Sequence, residues 1–407
     1  MARYQYGGQA LIEGVLMRGR NALAIALRHP DGSIVWASER LDLGLRARRA
    51  MKLPFLRGLV VLYDTLVTGT RWLVRSATVQ ALALEAGAGE EPGTGTGSGD
   101  SGAAAAIGGG LLGTLAAVFA GPALCAASGP ASGPGSSPAS GGGAATDPGK
   151  GSTASSYTDP DAATPKATPA AEQGIGKGYQ VAIGGMLLLS LVVGIGIFFL
   201  LPLFLAQATV GRVDRGFGLQ LSEGVIRVAI FVAYLLIMGR TPDVRRTFQY
   251  HGAEHMSIHT LEGGDPLTVA AARKYPTAHP RCGTEFLVVV LIVSILAFAV
   301  VGNLPPLLLI ASRVILIPVI AAISYEILQL GARHRSHAIV RWLWSPGIWV
   351  QAITTKQPTD DMIEVAIVSL ERALTADGVD IPAGSSVLAC RPLDPDDAVA
   401  PAAPAAA

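Results

Sequence analysis

Residues 221–239, LSEGVIRVAIFVAYLLIMG, and residues 286–301, FLVVVLIVSILAFAVV, are apolar segments that enclose a polar stretch of chain. Each approaches the roughly 20 apolar residues that a helix needs to cross the hydrocarbon core of a bilayer. Residues 181–206 and 304–330 have the same character. The chain is therefore read as a mainly α-helical polytopic membrane protein with about four transmembrane helices. Composition agrees: half of the 407 residues are hydrophobic and only 15% are charged, and the mean hydropathy is +0.44.

The expected orientation follows from the basic residues. Arg240, Arg245, Arg246, Arg273, Lys274 and Arg281 lie between the second and third apolar segments, whereas the short connection around Asn303 has none. The positive-inside rule puts the first connection in the cytoplasm. Arg333, Arg335 and Arg341 after the fourth segment agree, and an even number of spans places the amino-terminal region inside as well. Arg212 and Arg215, in the expected outer loop, run against the rule. Residues 103–126 are a weaker apolar candidate; counting them as a fifth span would break the agreement.

Within the polar stretch, His251, Glu254, His255 and His259 are followed by His279 and Cys282. On a helix advancing about 100° and 1.5 Å per residue, His251, His255 and His259 share one stripe, Glu262 continues it, and Glu254 sits about 60° to one side. Two histidines four apart can hold one ion, with metal–nitrogen distances of about 2.0–2.1 Å. Three cannot, because His251 and His259 are roughly 12 Å apart along the axis. A regular helix thus allows one pair with a leftover histidine, or two neighbouring sites. The order His, two residues, Glu, His is the reversed zincin signature, in which the histidines hold zinc and the glutamate is the general base. Cys282 or His279 is the expected third ligand, with Pro280 and Gly283 favouring a tight turn beside them. The competing reading sets these histidines against lipid phosphates and buries Cys282 as a small hydrophobe.

The amino-terminal region, residues 1–86, is expected to be cytoplasmic or interfacial. A hairpin is read over residues 21–28 and 33–39, joined by the turn sequence His29-Pro30-Asp31-Gly32. The preceding run GGQALIEGVLMRG, 7–19, is punctuated by glycine, and its Glu13 and Arg18 are read as a structural ion pair sooner than as a functional loop. Arg46, Arg48, Arg49, Lys52 and Arg57 precede an apolar helix over 55–84 that is interrupted by Asp64, Arg71 and Arg75. This helix either lies on the membrane with its basic cluster toward anionic lipid headgroups, or packs on the hairpin.

Residues 87–176 are rich in Gly, Ala, Ser, Thr and Pro and are read as a disordered linker. The membrane region spans 177–357, with the histidine and cysteine loop at 240–285. In its last span Arg313 and Glu326 need partners; Glu326 is expected to reach the metal region or a neighbouring helix. Trp342, Trp344 and Trp349 read as an interfacial helix, and His334 and His337 as headgroup contacts. A soluble helix begins at Thr359 or Asp360 within 358–391, and 392–407 is a disordered tail.

Other chemistries lack support. A net charge of +1 gives no electrostatic reason to expect nucleic acid. Cys125, Cys282 and Cys390 are odd in number and far apart, which argues against a disulfide framework. No P-loop, no dinucleotide glycine fingerprint at a strand-to-helix junction and no GxSxG is present.

Five motifs together resemble the YqhQ-like family of bacterial membrane proteins: GGQALIEGVLMRG at 7–19, YHGAEH with His259, HPRCGT at 279–284, SYEI at 324–327 and PGIWVQAITT at 346–355. The resemblance covers the chain except for the linker and tail. It implies a bacterial inner-membrane protein grouped with predicted metal-dependent enzymes of no established reaction. It points at the same His251, Glu254, His255, His259, His279 and Cys282, and it adds weight to Glu13 and Arg18.

The expected function is a metal-dependent hydrolase at the cytoplasmic membrane surface, with a divalent transition metal, zinc first, and Glu254 as catalytic base. The alternative is a non-enzymatic membrane protein with a structural metal site or a role in metal-ion handling. The expected partners are the lipid bilayer and its anionic headgroups.

Overall fold

The computed structural model describes residues 6–41, 51–88, 185, 188–211, 217–280, 282–302, 304–334 and 337–394. Outside these lie all but the first two residues of the expected linker, including 103–126, nearly all of the start of the first span, the tail from 395 onward, and Arg46, Arg48, Arg49, Cys125, Arg212, Arg215, Arg281, Asn303 and Arg335.

Among the described residues, five strands form one sheet in chain order: β1 (Gly7–Leu11), β2 (Gly14–Arg18), β3 (Ala22–Arg28), β4 (Ile34–Arg40) and β5 (Cys390–Pro392). The first four are antiparallel, and β5 runs parallel to β4. The expected hairpin is β3–β4, turning at Gly32 with φ 86°. The glycine-punctuated run before it folds as a second hairpin, β1–β2. No alternation of polar and apolar residues announced it, because both faces of the sheet are covered.

Alternate residues serve the two faces. Leu11, Leu16, Leu23, Ile25 and Leu27 meet Trp72, Leu73 and Val79 of α1 (Leu56–Ala88). Ala10, Val15, Ala24 and Ala26 meet Ile363, Ala366, Ile367 and Leu370 of α9 (Asp360–Ala376) and Tyr250, Ala253 and Met256 of α4 (Pro242–Gly263). Small side chains on this second face let α9 seat closely. Its Ser369 Oγ–H lies 3.0 Å from the Val15 carbonyl oxygen and 3.1 Å from that of Ala24.

Among the described residues, four helices are long and apolar enough to cross a membrane: α2 (Leu188–Thr209), α3 (Phe217–Met238), α6 (Thr284–Val301) and α7 (Pro306–Arg333). Residues 196–200 of α2 form a π-helical turn. The protein is thus a polytopic helical membrane protein. The polar chain between α3 and α6 carries α4 and the short α5 (Val269–Ala272); α8 (Ala338–Thr354) follows α7. The sheet, α1, α4 and α9 gather at the end of the spans where α3 leaves and α6 begins.

The helix over α1 satisfies the packing reading along its second half, where Trp72, Leu73 and Val79 cover the sheet. Its interrupting charges have partners: Asp64 binds Arg18 at 2.5 Å, Arg71 binds Glu39, and the Arg75 guanidinium lies 5.4 Å from the Trp72 ring centre. In the first half Leu56, Tyr63, Leu66 and Val67 are exposed beside α7.

Glu326 does not reach the histidines. Its carboxylate accepts from Arg57 Nε at 2.8 Å and from the Phe55 backbone N–H at 2.9 Å, fastening the start of α1 to α7. Arg313 finds its partner on another span: Nη2 donates to Glu223 Oε2 at 2.7 Å and Nε to Oε1 at 3.1 Å. Arg227, one turn after Glu223, donates to the same carboxylate at 2.5 Å. Both guanidinium groups lie over Phe298, at 4.2 Å for Arg313 and 4.8 Å for Arg227. These three charges are buried, and their mutual pairing is what makes burial at bilayer depth tolerable.

Candidate metal centre

Helix α4 begins at Pro242 after an extended Thr241 and stops where Gly264 takes the left-handed conformation, φ 76°. Proline at the first turn loses no intrahelical bond, and glycine ends a helix without steric cost. Between these signals lies a helix that is polar by sequence yet buried from Tyr250 to Ile258. Gly252 permits one close approach: a Cβ there would overlap the carbonyl oxygen of Lys356. The chain leaving α8 lies against α4 at this point, with the Lys356 N–H donating to Phe248 O at 2.9 Å.

The side chains form a row. The ring centres of His251 and His255 are 4.4 Å apart, those of His255 and His279 5.6 Å, and those of His279 and His259 4.5 Å. The ligand atoms of His251, His255 and Cys282 all lie within 4.8 Å of one another, and so do those of His259, Glu262 and His279. Cys282, not His279, joins the helical pair; its Sγ is 3.2 Å from His251 Nε2. Glu262, expected on the stripe but not as a ligand, completes the second group.

Backbone carbonyls orient the rings. His251 Nδ1 is 2.9 Å from Thr354 O, His255 Nδ1 is 2.6 Å from Thr277 O, and His259 Nε2 is 2.9 Å from Ala278 O. A carbonyl only accepts, so each of these nitrogens carries its hydrogen, and in a neutral ring the lone pair lies on the opposite nitrogen. Two further residues, with no metal-ligand chemistry to flag them, set the row. Gln351 of α8 accepts from the His279 backbone N–H and donates to the His279 carbonyl, both at 2.9 Å. Thr354, at the end of the same helix, supplies the carbonyl for His251. Both belong to the PGIWVQAITT motif, which spacing alone could not connect to residues 72 and 103 positions earlier.

Glu254 is buried between the row and β1. A Cβ at Gly8 would sit 2.9 Å from the Glu254 Cδ, so glycine is what lets the strand and carboxyl meet. The Gly8 N–H bonds this carboxyl, while its Oε2 has no hydrogen-bond partner. A second buried carboxyl, Glu285, lies at the start of α6 against Gly347.

Burial makes the uncharged forms prevail. It pushes Glu254 up to about 8, against the Gly8 hydrogen bond that opposes the shift. The Cys282 thiol is pushed up to about 12, first by burial and then by Glu254. Burial draws His251 down to about 4, and His255 is held well below the usual imidazole range by burial, then by His251 and His279. Neutral imidazoles with fixed lone pairs are ready ligands, and a divalent cation reverses the balance for the acids. The donor chemistry, with an orphaned buried carboxylate oxygen beside it, therefore fits a transition-metal ion.

Glu13 and Arg18 do not pair with each other. Glu13 sits in the β1–β2 turn at φ 54° and takes two bonds from Arg246 at 2.5 Å and one from Tyr250 Oη at 3.2 Å, tying the turn to α4. His334 and His337 stack on each other, centres 6.1 Å apart, and belong to neither ligand group.

The family model described as "Protein of unknown function (DUF1385)" matches residues 53–376. The chain is 27% identical to "Uncharacterized protein YqhQ" of Bacillus subtilis (strain 168) over 369 residues, covering 91% of this chain and 92% of the relative. No solved structure matches.

Proposed function

The chain belongs to the DUF1385 family, and we propose that it is a metal-dependent hydrolase of the bacterial inner membrane whose site faces the cytoplasm. His251, His255 and Cys282 would hold a divalent transition metal, zinc by the softness of the donors. The observation that carries this reading is the set of ring N–H groups given to backbone carbonyls at Thr354 and Thr277, the outer support that metal-binding histidines use. When bound, such an ion supplies Lewis acidity and lowers the pKa of water.

The residues of the chain divide the remaining work. Glu254, whose Oε2 has no hydrogen-bond partner, takes a proton at that oxygen. Without a cation, burial favours the protonated carboxyl; a bound cation would favour the carboxylate, the form that acts as base. The Gly8 N–H and the β1 backbone hold the carboxyl in place. The basic residues Arg240, Arg245, Arg273 and Lys274 favour the cytoplasmic side. Exposed Leu56, Tyr63, Trp342 and Trp349 seat α1 and α8 on the bilayer, with exposed Lys52, Arg240 and Arg245 toward anionic headgroups.

A second reading, a closed structural or storage site for the metal, is favoured by one observation: His251, His255 and Cys282 are only 2%, 1% and 6% exposed. Elemental analysis of detergent-purified protein beside His255→Ala and Cys282→Ala tests the site itself. Stoichiometric metal lost in both variants is expected; a metal-free wild type purified without chelators would sink both readings. X-ray absorption then decides between them, since an enzyme keeps a non-protein ligand and a closed site does not. Retained turnover in Glu254→Gln, once a substrate is found, would remove the assigned base.

A further inference from the structure

We propose that His259, Glu262 and His279 bind a second divalent transition-metal ion, more exchangeable than the first. The inference rests on the reading of the row as a metal centre, and it assigns the half of the row that the first ion leaves idle. One ion cannot serve the whole row. His251 and His259 are two helical turns apart, roughly 12 Å along the axis, while metal–nitrogen bonds are about 2.0–2.1 Å. The structure instead brings the donors together as two groups of three, each with its ligand atoms within 4.8 Å.

The second group is preorganised independently of the first. His259 gives its Nε2 hydrogen to Ala278 O, leaving Nδ1 as the donor. Its ring lies nearly parallel to that of Tyr275, 6° between planes and 5.9 Å between centres, and the Tyr275 hydroxyl is held in turn by Asp265 at 3.1 Å. His279 is fixed through its peptide by Gln351 on both sides. Its Nε2 lies 3.4 Å from Glu262 Oε2, long for a charge-assisted hydrogen bond and short enough for both atoms to share one ion.

The groups differ in chemistry and in access. Two histidines with a buried thiol make the first site soft. Two histidines with a carboxylate make the second harder. The Glu262 side chain is 22% exposed, whereas His279 is 3% exposed, so the second group reaches from the interior to solvent. An ion held there has a route out that the buried group lacks, and room for a ligand from solvent.

The test uses the full chain in detergent, loaded with Zn²⁺ for elemental analysis and with Co²⁺ for absorption spectra. About two ions per chain are expected in the wild type, and about one in His259→Ala, Glu262→Gln and Cys282→Ser. Glu262→Gln removes the ligand charge at a solvent-reaching position, so its fold should survive. The sulfur-to-cobalt charge-transfer band should persist in His259→Ala and Glu262→Gln and vanish in Cys282→Ser. A brief wash with a mild chelator should remove the ion bound without sulfur first. A single ion that survives His259→Ala and Glu262→Gln would overturn the second site while leaving the first; a single ion lost in all three variants would mean one shared site and also overturn it. No ion at all would instead remove the metal reading on which it rests.

Discussion

His251 Nε2 lies 3.2 Å from the Sγ of Cys282, joining the middle of a buried helix to the turn that precedes a membrane span, 31 residues later. In the absence of a cation the sulfur holds its proton, because burial and Glu254 push the thiol up to about 12. His251, drawn down to about 4, has none to lose near neutrality.

Metal binding should therefore release the thiol proton. Between about pH 6 and pH 8 the apparent Zn²⁺ affinity of the first site is expected to rise about tenfold per pH unit, since an ion competes with a proton for the sulfur. Competition with a chromogenic chelator reads the slope. Cys282→Ser should flatten it; an unchanged slope in that variant would place the released proton elsewhere.

Gln351→Ala should weaken binding without removing any ligand. The amide holds both sides of the His279 peptide, and loss of such outer support costs about 10–100-fold in metal affinity. The same competition assay measures it, with circular dichroism to confirm that the helices remain. Wild-type affinity in the variant would show that the loop positions His279 without help from α8.

Gly8→Ala places a Cβ 2.5 Å from Leu16 O and 2.9 Å from the Glu254 Cδ. Leu16 O belongs to the paired strand and cannot swing aside, so β1 must shift. Such overpacking costs about 1–3 kcal/mol. Thermal unfolding in detergent should show a lowered midpoint; an unaltered one would mean that β1 is less tightly held than its pairing with β2 indicates.

Glu223→Gln should be far more damaging than its distance from the histidines implies. It leaves Arg227 and Arg313 buried with no counter-charge, and breaking a buried ionic group this way costs about 3–5 kcal/mol. Recovery of monodisperse protein after mild heating provides the readout. Replacing all three residues by apolar ones of similar volume should restore much of the loss, because the desolvation cost then disappears as well. Full stability of the single variant would show that water reaches the cluster.

The sequence by itself determined the elements whose stabilisation is local or set by the solvent. Apolar length marked the four spans, turn chemistry marked the hairpin over β3 and β4, and a helical stripe marked His251, His255, His259 and Glu262. These follow from bilayer thickness, turn conformation and 3.6-residue periodicity, which act over short stretches of chain. What the tertiary structure decided was the choice among partners distant in sequence. It made a strand pair of residues 7–18, whose burial on both faces erased the alternation that would have revealed it. It assigned Cys282 to the helical pair and His279 to Glu262, sent Glu326 to Arg57, and gave Arg313 the Glu223 carboxylate that the sequence reading had passed over. It also brought Gln351 and Thr354 to the histidine row through backbone hydrogen bonds, which any side chain of suitable backbone geometry can supply and which therefore leave little trace in residue type.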